Sequence, residues 1–245
     1  MADNTDNTDN TDNADNKDGG RRVAVVTGGS GAIGGAIAAR LAEDHTVVAL
    51  DRDGDVAVDL ADQAQVRQAA QEVLSRHGRV DVLVHAAAMV AFEAIEEFDL
   101  ELWRQVQAVN VESALLLTQA FTPGMRQRRF GRLVFVVSNT FWRPAGGHQI
   151  AYVASKGALI GMARALAVGL GGDGVAAMAV APGLTRTPAT SVVPAEEFQD
   201  VAAHQALARP LTSDDAAAVV AMLVRDDAAA LTGQTLMADG GLVLS

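Results

Sequence analysis

The chain has 245 residues, of which 49% are hydrophobic and 20% charged, as is typical of one domain with a packed core. It contains no cysteine, which excludes a disulfide scaffold, a thiolate metal site and a cysteine nucleophile. The formal net charge of -11 argues against a protein that binds nucleic acid. Lysine occurs only at Lys17 and Lys156 and tyrosine only at Tyr152, whereas arginine fills the other cationic positions.

Residues 1–20 consist largely of an Asp-Asn-Thr repeat without large apolar side chains after Met1, which predicts a disordered acidic tail. The tail lacks the basic start and apolar stretch of a secretion signal. No later stretch has the roughly 18 consecutive apolar residues of a membrane span. We therefore expect a cytoplasmic protein that does not bind membranes, with residues 21–245 forming its single folded domain.

From Arg21 onward, short β-branched runs alternate with longer stretches of helical periodicity. The predicted strands are Val23–Val26, Val47–Leu50, Val80–Val84, Leu133–Val137 and Val175–Val180. The predicted helices are Ile33–Glu43, Asp62–His77, Leu100–Arg128, Ile150–Leu170 and Ser213–Arg225. This alternation predicts an α/β fold of the Rossmann type, in which a doubly wound parallel sheet lies between two helical layers. Ligands of such sheets bind at the carboxyl ends of the strands.

The first predicted strand runs into a glycine-rich turn that opens a helix. Such a turn lets the backbone approach a pyrophosphate, and the helix N-terminus supplies free N–H groups and a positive dipole end. The sequence therefore predicts dinucleotide binding after this strand. The predicted binding residues here are Thr27, Gly28, Ser30, Ala32, Ile33 and Gly34.

Asp51 ends the second predicted strand. A carboxylate there accepts hydrogen bonds from the adenosine ribose and repels a 2′-phosphate, which favours NAD as cofactor. Arg52 follows directly and could attract a 2′-phosphate, so NADP is the less favoured alternative. Asp59 and Leu60 follow a very short third strand and are predicted to flank the adenine.

Tyr152 and Lys156 lie four residues apart, a spacing that places both side chains on one helix face. A free phenol has a pKa near ~10, and a close ammonium group favours the phenolate. We therefore predict that Tyr152 is an acid/base whose pKa is lowered by Lys156. A surface tyrosine and lysine on an amphipathic helix is the alternative interpretation. The five histidines show no ligand spacing, so no metal is expected.

Residues 21–245 resemble the short-chain dehydrogenase/reductases in six ordered motifs. These are Thr27-Gly28…Ala32-Ile33-Gly34, Asn110-Val111-Glu112-Ser113, Ser138, Tyr152…Lys156, Pro182-Gly183…Thr187 and Thr232-Gly233-Gln234…Asp239-Gly240-Gly241. The resemblance implies that hydride passes between a nicotinamide and the substrate carbon while Tyr152 moves the proton. It also implies that Lys156 holds the nicotinamide ribose and Ser138 hydrogen-bonds the reacting oxygen.

The same resemblance assigns roles to residues around this centre. Asn110 would anchor a water that links Lys156 to solvent. Small residues after the fourth strand would leave space beside the adenosine, and the segment after the sixth would hold the carboxamide. The residues implied for these cofactor contacts are Ala86, Ala87, Pro182, Gly183, Thr185 and Thr187.

Three positions depart from the family pattern. Ala32 replaces the middle glycine of the phosphate turn, and His85-Ala86-Ala87-Ala88 replaces Asn-Asn-Ala-Gly. Ser138 lies one residue further from Tyr152 than the family's serine, and Asn139 occupies the usual position. We expect Ser138 to be the polar partner of Tyr152, because it ends the strand and the following loop can absorb one residue. Asn139 is the alternative.

The substrate pocket is predicted from the loops after the fourth and fifth strands and from a lid at about residues 188–210. Its predicted lining is Met89, Val90, Ser138, Phe141, Trp142, Gln149 and Tyr152. The Phe-Trp pair favours an apolar or aromatic substrate and resembles phenylethanol-type secondary alcohol dehydrogenases of the family. Packing of both rings within the loop is equally compatible with the sequence.

These features predict an NAD-dependent dehydrogenase of small-molecule secondary alcohols, or the corresponding ketone reductase. The resemblance further implies a homo-oligomer, a tetramer or a dimer. The alternatives are an NADPH-linked 3-oxoacyl thioester reductase and a non-catalytic dinucleotide-binding sensor.

Overall fold

The computed structural model describes residues 20–244, so the predicted acidic tail lies outside the described residues apart from Gly20. The strands are β1 (Arg22–Thr27), β2 (His45–Asp51), β3 (Val56–Ala57), β4 (Val82–His85), β5 (Gly131–Val136), β6 (Val175–Pro182) and β7 (Thr235–Ala238). They form one sheet of order β3-β2-β1-β4-β5-β6-β7, in which every neighbouring pair is parallel. The strand order reverses between β1 and β4, which is where such sheets bind ligands.

Helices cover both faces of this sheet. They are α1 (Ala32–Leu41), α2 (Gln63–His77), α3 (Leu100–Gln107), α4 (Ser113–Arg128), α5 (Ile150–Leu170), α6 (Ala195–His204) and α7 (Ser213–Leu223). Helices α2, α4 and α5 pack on one face, and α1 and α7 pack on the other. Neighbouring strand residues therefore belong to different cores, as Val25 and Val26 do. The predicted three-layer Rossmann-type fold is confirmed.

The long helix predicted over Leu100–Arg128 is interrupted. A π-helical turn at Ala108–Glu112 separates α3 from α4, and the backbone N–H of Ser113 bonds to the carbonyl of Ala108. No helix is predicted at the position of α6, which lies within the predicted lid. This helix is only ten residues long and buries only Phe198 and Ala202, so few apolar residues mark it in the sequence.

One helical stretch of the described chain, Gly147–Asp173, is long and apolar enough to cross a membrane by length and composition. Core helices of soluble proteins pass the same test, so this finding is weak evidence for a membrane span. In the fold, the buried side of this stretch, including Leu159 and Ala163, belongs to the core beneath the sheet.

Candidate active site

The glycine turn after β1 is closed by backbone contacts. Gly28 has a φ of 69°, and a Cβ atom there would lie 2.8 Å from the Cα of Ala87. A Cβ atom on Gly34 would overlap the backbone oxygen of Gly28. The turn, the first turn of α1 and the loop after β4 therefore approach so closely that only glycine fits at these two positions.

The N-terminus of α1 suits an anion. Its capping residue, Gly31, makes no side-chain hydrogen bond, and the first turn contains no acidic residue. The first N–H groups of a helix lack intrahelical partners, so here they can bind a pyrophosphate. Ala32, which replaces the family's middle glycine, is the first residue of α1 and follows Gly31 in an extended conformation. Ile33 packs against the core shared by α1 and α7.

Asp51 lies at the carboxyl end of β2, directly beside the glycine turn. Its carboxylate accepts hydrogen bonds from the backbone N–H of Ser30 at 3.1 Å and of Arg52 at 2.7 Å. Asp59 accepts the N–H of Ala61 at 2.9 Å, and Leu60 belongs to the core. The Asp51 side chain therefore lies next to the glycine turn, where the sequence predicts the adenosine end of a dinucleotide.

Tyr152 and Lys156 lie in the first turns of α5, above the end of β5. The Lys156 ammonium is buried, donates to the carbonyl of Val136 at 2.8 Å and lies 5.3 Å from the centre of the Tyr152 ring. Burial lowers the pKa of Lys156 to about 7. The helical spacing therefore does bring both side chains together.

The pKa of Tyr152 differs from the sequence prediction. Burial of the phenol raises this pKa, and a hydrogen bond from Ser138 opposes the shift without reversing it. We predicted a pKa lowered by Lys156. The reason for the difference is that both groups share a desolvated environment, which disfavours phenolate and ammonium alike.

Ser138 is placed beside the phenol, whereas Asn139 is not. The Ser138 hydroxyl oxygen accepts two hydrogen bonds from Thr140. One comes from its backbone N–H at 3.2 Å and the other from the Thr140 side-chain hydroxyl at 2.9 Å. Its own hydrogen is therefore left for the Tyr152 oxygen. Asn139 instead donates to the carboxylate of Asp239 at 3.3 Å. Asn139, which stands at the family's usual spacing from Tyr152, thus stabilises the turn at Asp239 near the C-terminus.

Asn110 is fully buried in the π-helical turn, and its side chain is occupied by protein partners. The side-chain oxygen accepts the N–H of Met89 at 2.7 Å. The side-chain nitrogen donates to the carbonyl of Met89 at 3.0 Å and to the Ser155 hydroxyl at 2.9 Å. Both amide hydrogens are thus taken, so the predicted water link to Lys156 would fall to the Asn110 carbonyl.

The predicted carboxamide site follows β6 and is tightly packed. A Cβ atom on Gly183 would lie 2.8 Å from Leu211 and 2.9 Å from the Cβ of Asp239. The Thr185 hydroxyl donates to the carbonyl of Gly183 at 3.0 Å, and Thr187 pairs with Thr190 in a capping box. Both predicted hydroxyls are therefore engaged within the chain, just beyond Pro182 at the end of β6.

The predicted substrate residues divide into two groups. Trp142 packs against the core, and the Phe141 ring lies against Gly157 and edge-on to Trp142, with centroids 5.0 Å apart. Met89 packs in a small cluster under the loop after β4. In contrast, Val90 is half-buried, and the side-chain oxygen of Gln149 is buried without a hydrogen-bond partner. The buried Gln149 oxygen is therefore unpaired, and the Phe141 ring, although packed on one side, stays 42% exposed.

Sequence reasoning missed His85. Its imidazole is completely buried at the end of β4 and contacts both Thr27 and Asn110. The only sequence signal for a role of His85 was its position in the motif after β4, where the family normally carries asparagine. Within the described residues, no group of three or more His, Asp or Glu side chains could hold a metal ion.

Comparisons with known proteins identify the family of this chain. A family model described as Enoyl-(Acyl carrier protein) reductase matches residues 20–243. The (2S)-[(R)-hydroxy(phenyl)methyl]succinyl-CoA dehydrogenase subunit BbsD of Thauera aromatica is 30% identical over 90% of this chain and 96% of that protein.

Two solved structures are similar over nearly the whole fold. One is assigned as an NAD(P)-dependent gluconate 5-dehydrogenase from Beutenbergia cavernae, with NADP bound at low occupancy. It is 34% identical, with a TM-score of 0.85 over 91% of this chain and 97% of that chain. The other is a 3-ketoacyl-(acyl-carrier-protein) reductase from Brucella melitensis in complex with NADH. It is 28% identical, with a TM-score of 0.84 over 91% and 98% of the two chains.

The parallel sheet, the glycine turn and the Ser138–Tyr152–Lys156 cluster define a nicotinamide-dependent oxidoreductase. The chain belongs to the short-chain dehydrogenase/reductase family. It is an enzyme that interconverts secondary alcohols and ketones with NAD(P)(H).

Proposed function

We propose that this enzyme is an NAD-dependent dehydrogenase of apolar or aromatic secondary alcohols that also reduces the corresponding ketones. The observation that carries this proposal is the convergence of Ser138, Tyr152 and Lys156 in the same parallel-sheet fold that carries the glycine turn after β1. A hydroxyl donor, an acid/base phenol and a buried ammonium are the groups needed to hold a substrate oxygen and move its proton.

In the proposed mechanism, hydride acceptance and donation would be the chemistry that a bound nicotinamide supplies. When substrate is bound, the Ser138 hydroxyl turns its hydrogen from the Tyr152 oxygen to the substrate oxygen and orients the carbinol carbon. Tyr152 takes the hydroxyl proton during oxidation and returns it during reduction. Lys156, held at the Val136 carbonyl, would stabilise the phenolate and hold the nicotinamide ribose.

Replacing Tyr152 with phenylalanine tests this mechanism. We expect Tyr152→Phe to lower kcat by about 10²-fold or more, because the acid/base is lost while the ring volume is kept. Binding of NADH, followed by fluorescence titration, should remain within about twofold of the wild type. Undiminished turnover by the variant would remove Tyr152 as the acid/base. Binding of NADH without turnover of any alcohol or ketone by the wild type would favour the dinucleotide sensor.

The preference for NAD over NADP is proposed from Asp51. Its carboxylate is held by two backbone N–H groups beside the glycine turn, where it would repel a 2′-phosphate. We expect kcat/KM to be at least about tenfold higher with NADH than with NADPH. Asp51→Ser should abolish most of this preference, whereas Asp53→Ser, with a carboxylate two residues further along the turn, should not change it. A clear preference of the wild type for NADPH would contradict this interpretation of Asp51.

The substrate class is proposed from the loops around Ser138. Phe141 is 42% exposed beside the half-buried Trp142, so the entrance carries an aromatic surface. The Thauera aromatica relative is named for a hydroxy(phenyl)methyl succinyl-CoA substrate, which is an aryl secondary alcohol carried on a CoA thioester. A screen of aliphatic and aryl secondary alcohols, followed by NADH absorbance, should give the highest kcat/KM for the aryl compounds.

The competing proposal is a 3-oxoacyl thioester reductase. The matched family model and the Brucella melitensis structure both carry acyl-carrier-protein names. Adding acetoacetyl-CoA to the screen separates the two, since a thioester reductase should prefer it over simple aryl ketones.

The lid and the assembly complete the proposal. We propose that residues 188–210 cover the substrate as a lid. Within this segment, Phe198 of α6 is in contact with Arg186, whose guanidinium lies 4.2 Å from the centre of the ring, so the lid is attached to the segment that follows β6.

We also propose a cytoplasmic homo-oligomer, a tetramer or a dimer, in which α4 and α5 face a second copy. Leu115 on α4 is 52% exposed and Val168 on α5 is 89% exposed, which supports burial of this side in an assembly.

A further inference from the structure

His85 joins two parts of the site that the proposed mechanism treats separately. It ends β4, is fully buried, and its Nδ1 lies 2.9 Å from the Thr27 hydroxyl oxygen. Its Nε2 lies 3.1 Å from the backbone carbonyl oxygen of Asn110. The imidazole therefore bridges the glycine-turn side of the cleft and the π-helical turn.

The hydrogen bonds of Thr27 decide the tautomer of His85. The Thr27 hydroxyl oxygen accepts the backbone N–H groups of Ala86 and Ala87, each at 3.1 Å. Its single hydrogen is then available only for Nδ1 of His85, which must accept it. Nε2 consequently carries the ring proton and donates it to the Asn110 carbonyl. Burial and the nearby Lys156 charge lower the pKa of His85 to about 3, so the ring stays neutral.

Asn110 passes this contact on to the catalytic helix. Its carbonyl is fixed by His85, and its side chain donates to the hydroxyl of Ser155. Ser155 in turn donates to the carbonyl of Tyr152 at 2.7 Å and directly precedes Lys156. Every polar atom along this path has a partner, and the path ends at the two residues assigned to proton transfer.

We propose, on the basis of the proposed function, that His85 is a positioning residue for this reaction. Through its Nε2–H it fixes the Asn110 carbonyl, and through Asn110 it sets the place of Lys156 relative to Tyr152. Only the neutral Nε2–H tautomer can perform this role, since the other tautomer would direct Nδ1–H at the Thr27 hydroxyl and leave the Asn110 carbonyl without its donor.

Two variants separate positioning from simple packing. His85→Leu keeps the bulk of the side chain but removes both hydrogen bonds, whereas in His85→Gln the amide oxygen can accept from Thr27 and the nitrogen can donate to Asn110. We expect His85→Leu to lower kcat by about tenfold or more, with the KM for NADH nearly unchanged, and His85→Gln to restore most of the loss. Thermal unfolding of both variants shows whether the assay temperature lies below their transitions.

Two measurements do not depend on turnover. Imidazole ¹⁵N NMR of the unaltered protein should show His85 as a neutral Nε2–H tautomer, with the signal assigned by its loss in His85→Gln. Lysine ¹³C NMR gives few signals, because the chain has only Lys17 and Lys156. We expect the pKa of Lys156 to rise by about half a unit or more in His85→Leu, since the freed Asn110 carbonyl attracts the ammonium.

An Nδ1–H tautomer would overturn the inference, as would a His85→Leu variant with unchanged kcat and an unchanged Lys156 pKa. If the wild type turns over no alcohol or ketone, the proposed function fails, and the two NMR measurements alone decide whether His85 positions Lys156.

Discussion

At the scale of single residues, burial acts on Tyr152 and Lys156 in opposite directions. It raises the pKa of the phenol and lowers that of the ammonium to about 7, so both neutral forms gain population near neutral pH. Ser138 opposes the effect of burial on the pKa of Tyr152, because its donated hydrogen bond favours the phenolate. The fold therefore removes both Tyr152 and Lys156 from water. We expect this desolvation to lower the free energy of unfolding.

Replacing Lys156 with methionine measures this cost. Because the pKa of Lys156 falls from 10.5 to about 7 on folding, the unfolded chain binds more protons between these values. The loss of folding stability that the buried Lys156 causes is therefore greatest below about pH 7 and disappears as the pH rises toward 10.5. We expect Lys156→Met to raise Tm by about 2–4 °C near neutral pH while activity is lost.

The control for this variant is Arg52→Met, at an exposed position of the turn after β2 and away from α4 and α5, which should leave Tm unchanged. Thermal unfolding followed at about pH 7 and about pH 9 should show a smaller difference between Lys156→Met and the wild type at the higher pH. A lower Tm for Lys156→Met at both pH values would show that the buried ammonium stabilises the fold.

At the scale of elements, the glycine turn and the C-terminal turn hold the two ends of the cleft. The C-terminal turn is built on the buried Asp239, which accepts the N–H groups of Gly241 at 3.1 Å and of Val243 at 2.9 Å. Gly240 accepts the N–H of Leu207 at 3.0 Å, and Asn139 contacts Asp239. One short segment thereby ties the predicted lid to the loop that carries Ser138.

The glycine turn permits a sharper experiment. A Cβ atom on Gly34 would overlap the backbone oxygen of Gly28, and no flexible side chain is there to yield. We expect Gly34→Ala to weaken NADH binding by about tenfold or more, as measured by fluorescence titration, because the turn must open. Gly169→Ala is the control, since a Cβ atom there meets nothing within 4 Å and alanine favours the helix. Equal NADH affinity in the two variants would show that the turn does not contact the cofactor.

At the scale of the whole molecule, apolar surface remains on the outer side of α4 and α5 within one chain. If the proposed homo-oligomer forms there, Leu115→Arg should lower the molar mass measured by light scattering to a smaller multiple of 25.4 kDa. Val192→Arg, at an exposed position of the predicted lid, should leave the molar mass unchanged. A wild-type molar mass equal to one chain would exclude the homo-oligomer.

The sequence by itself determined the fold class, the family and the identity of most candidate site residues. It could do so because strand and helix periodicity are local, and because the glycine turn and the Tyr152–Lys156 pair are fixed by spacing along the chain. The carboxyl ends of parallel strands then necessarily meet at one edge of the sheet. The choice of Ser138 over Asn139 rested on a predicted strand end at Val137. The strand β5 ends one residue earlier, at Val136, and the structure places Ser138 beside Tyr152.

Only the tertiary structure decided how these residues are partnered and charged. The raised pKa of Tyr152, the fully bonded side chain of Asn110 and the bridging role of His85 all depend on atoms far apart in the chain. Desolvation and hydrogen-bond partners are properties of the folded environment, and spacing in the sequence does not contain them. The same holds for the packing of Trp142 against the core, since a half-buried ring and a ligand-binding ring have identical local sequences.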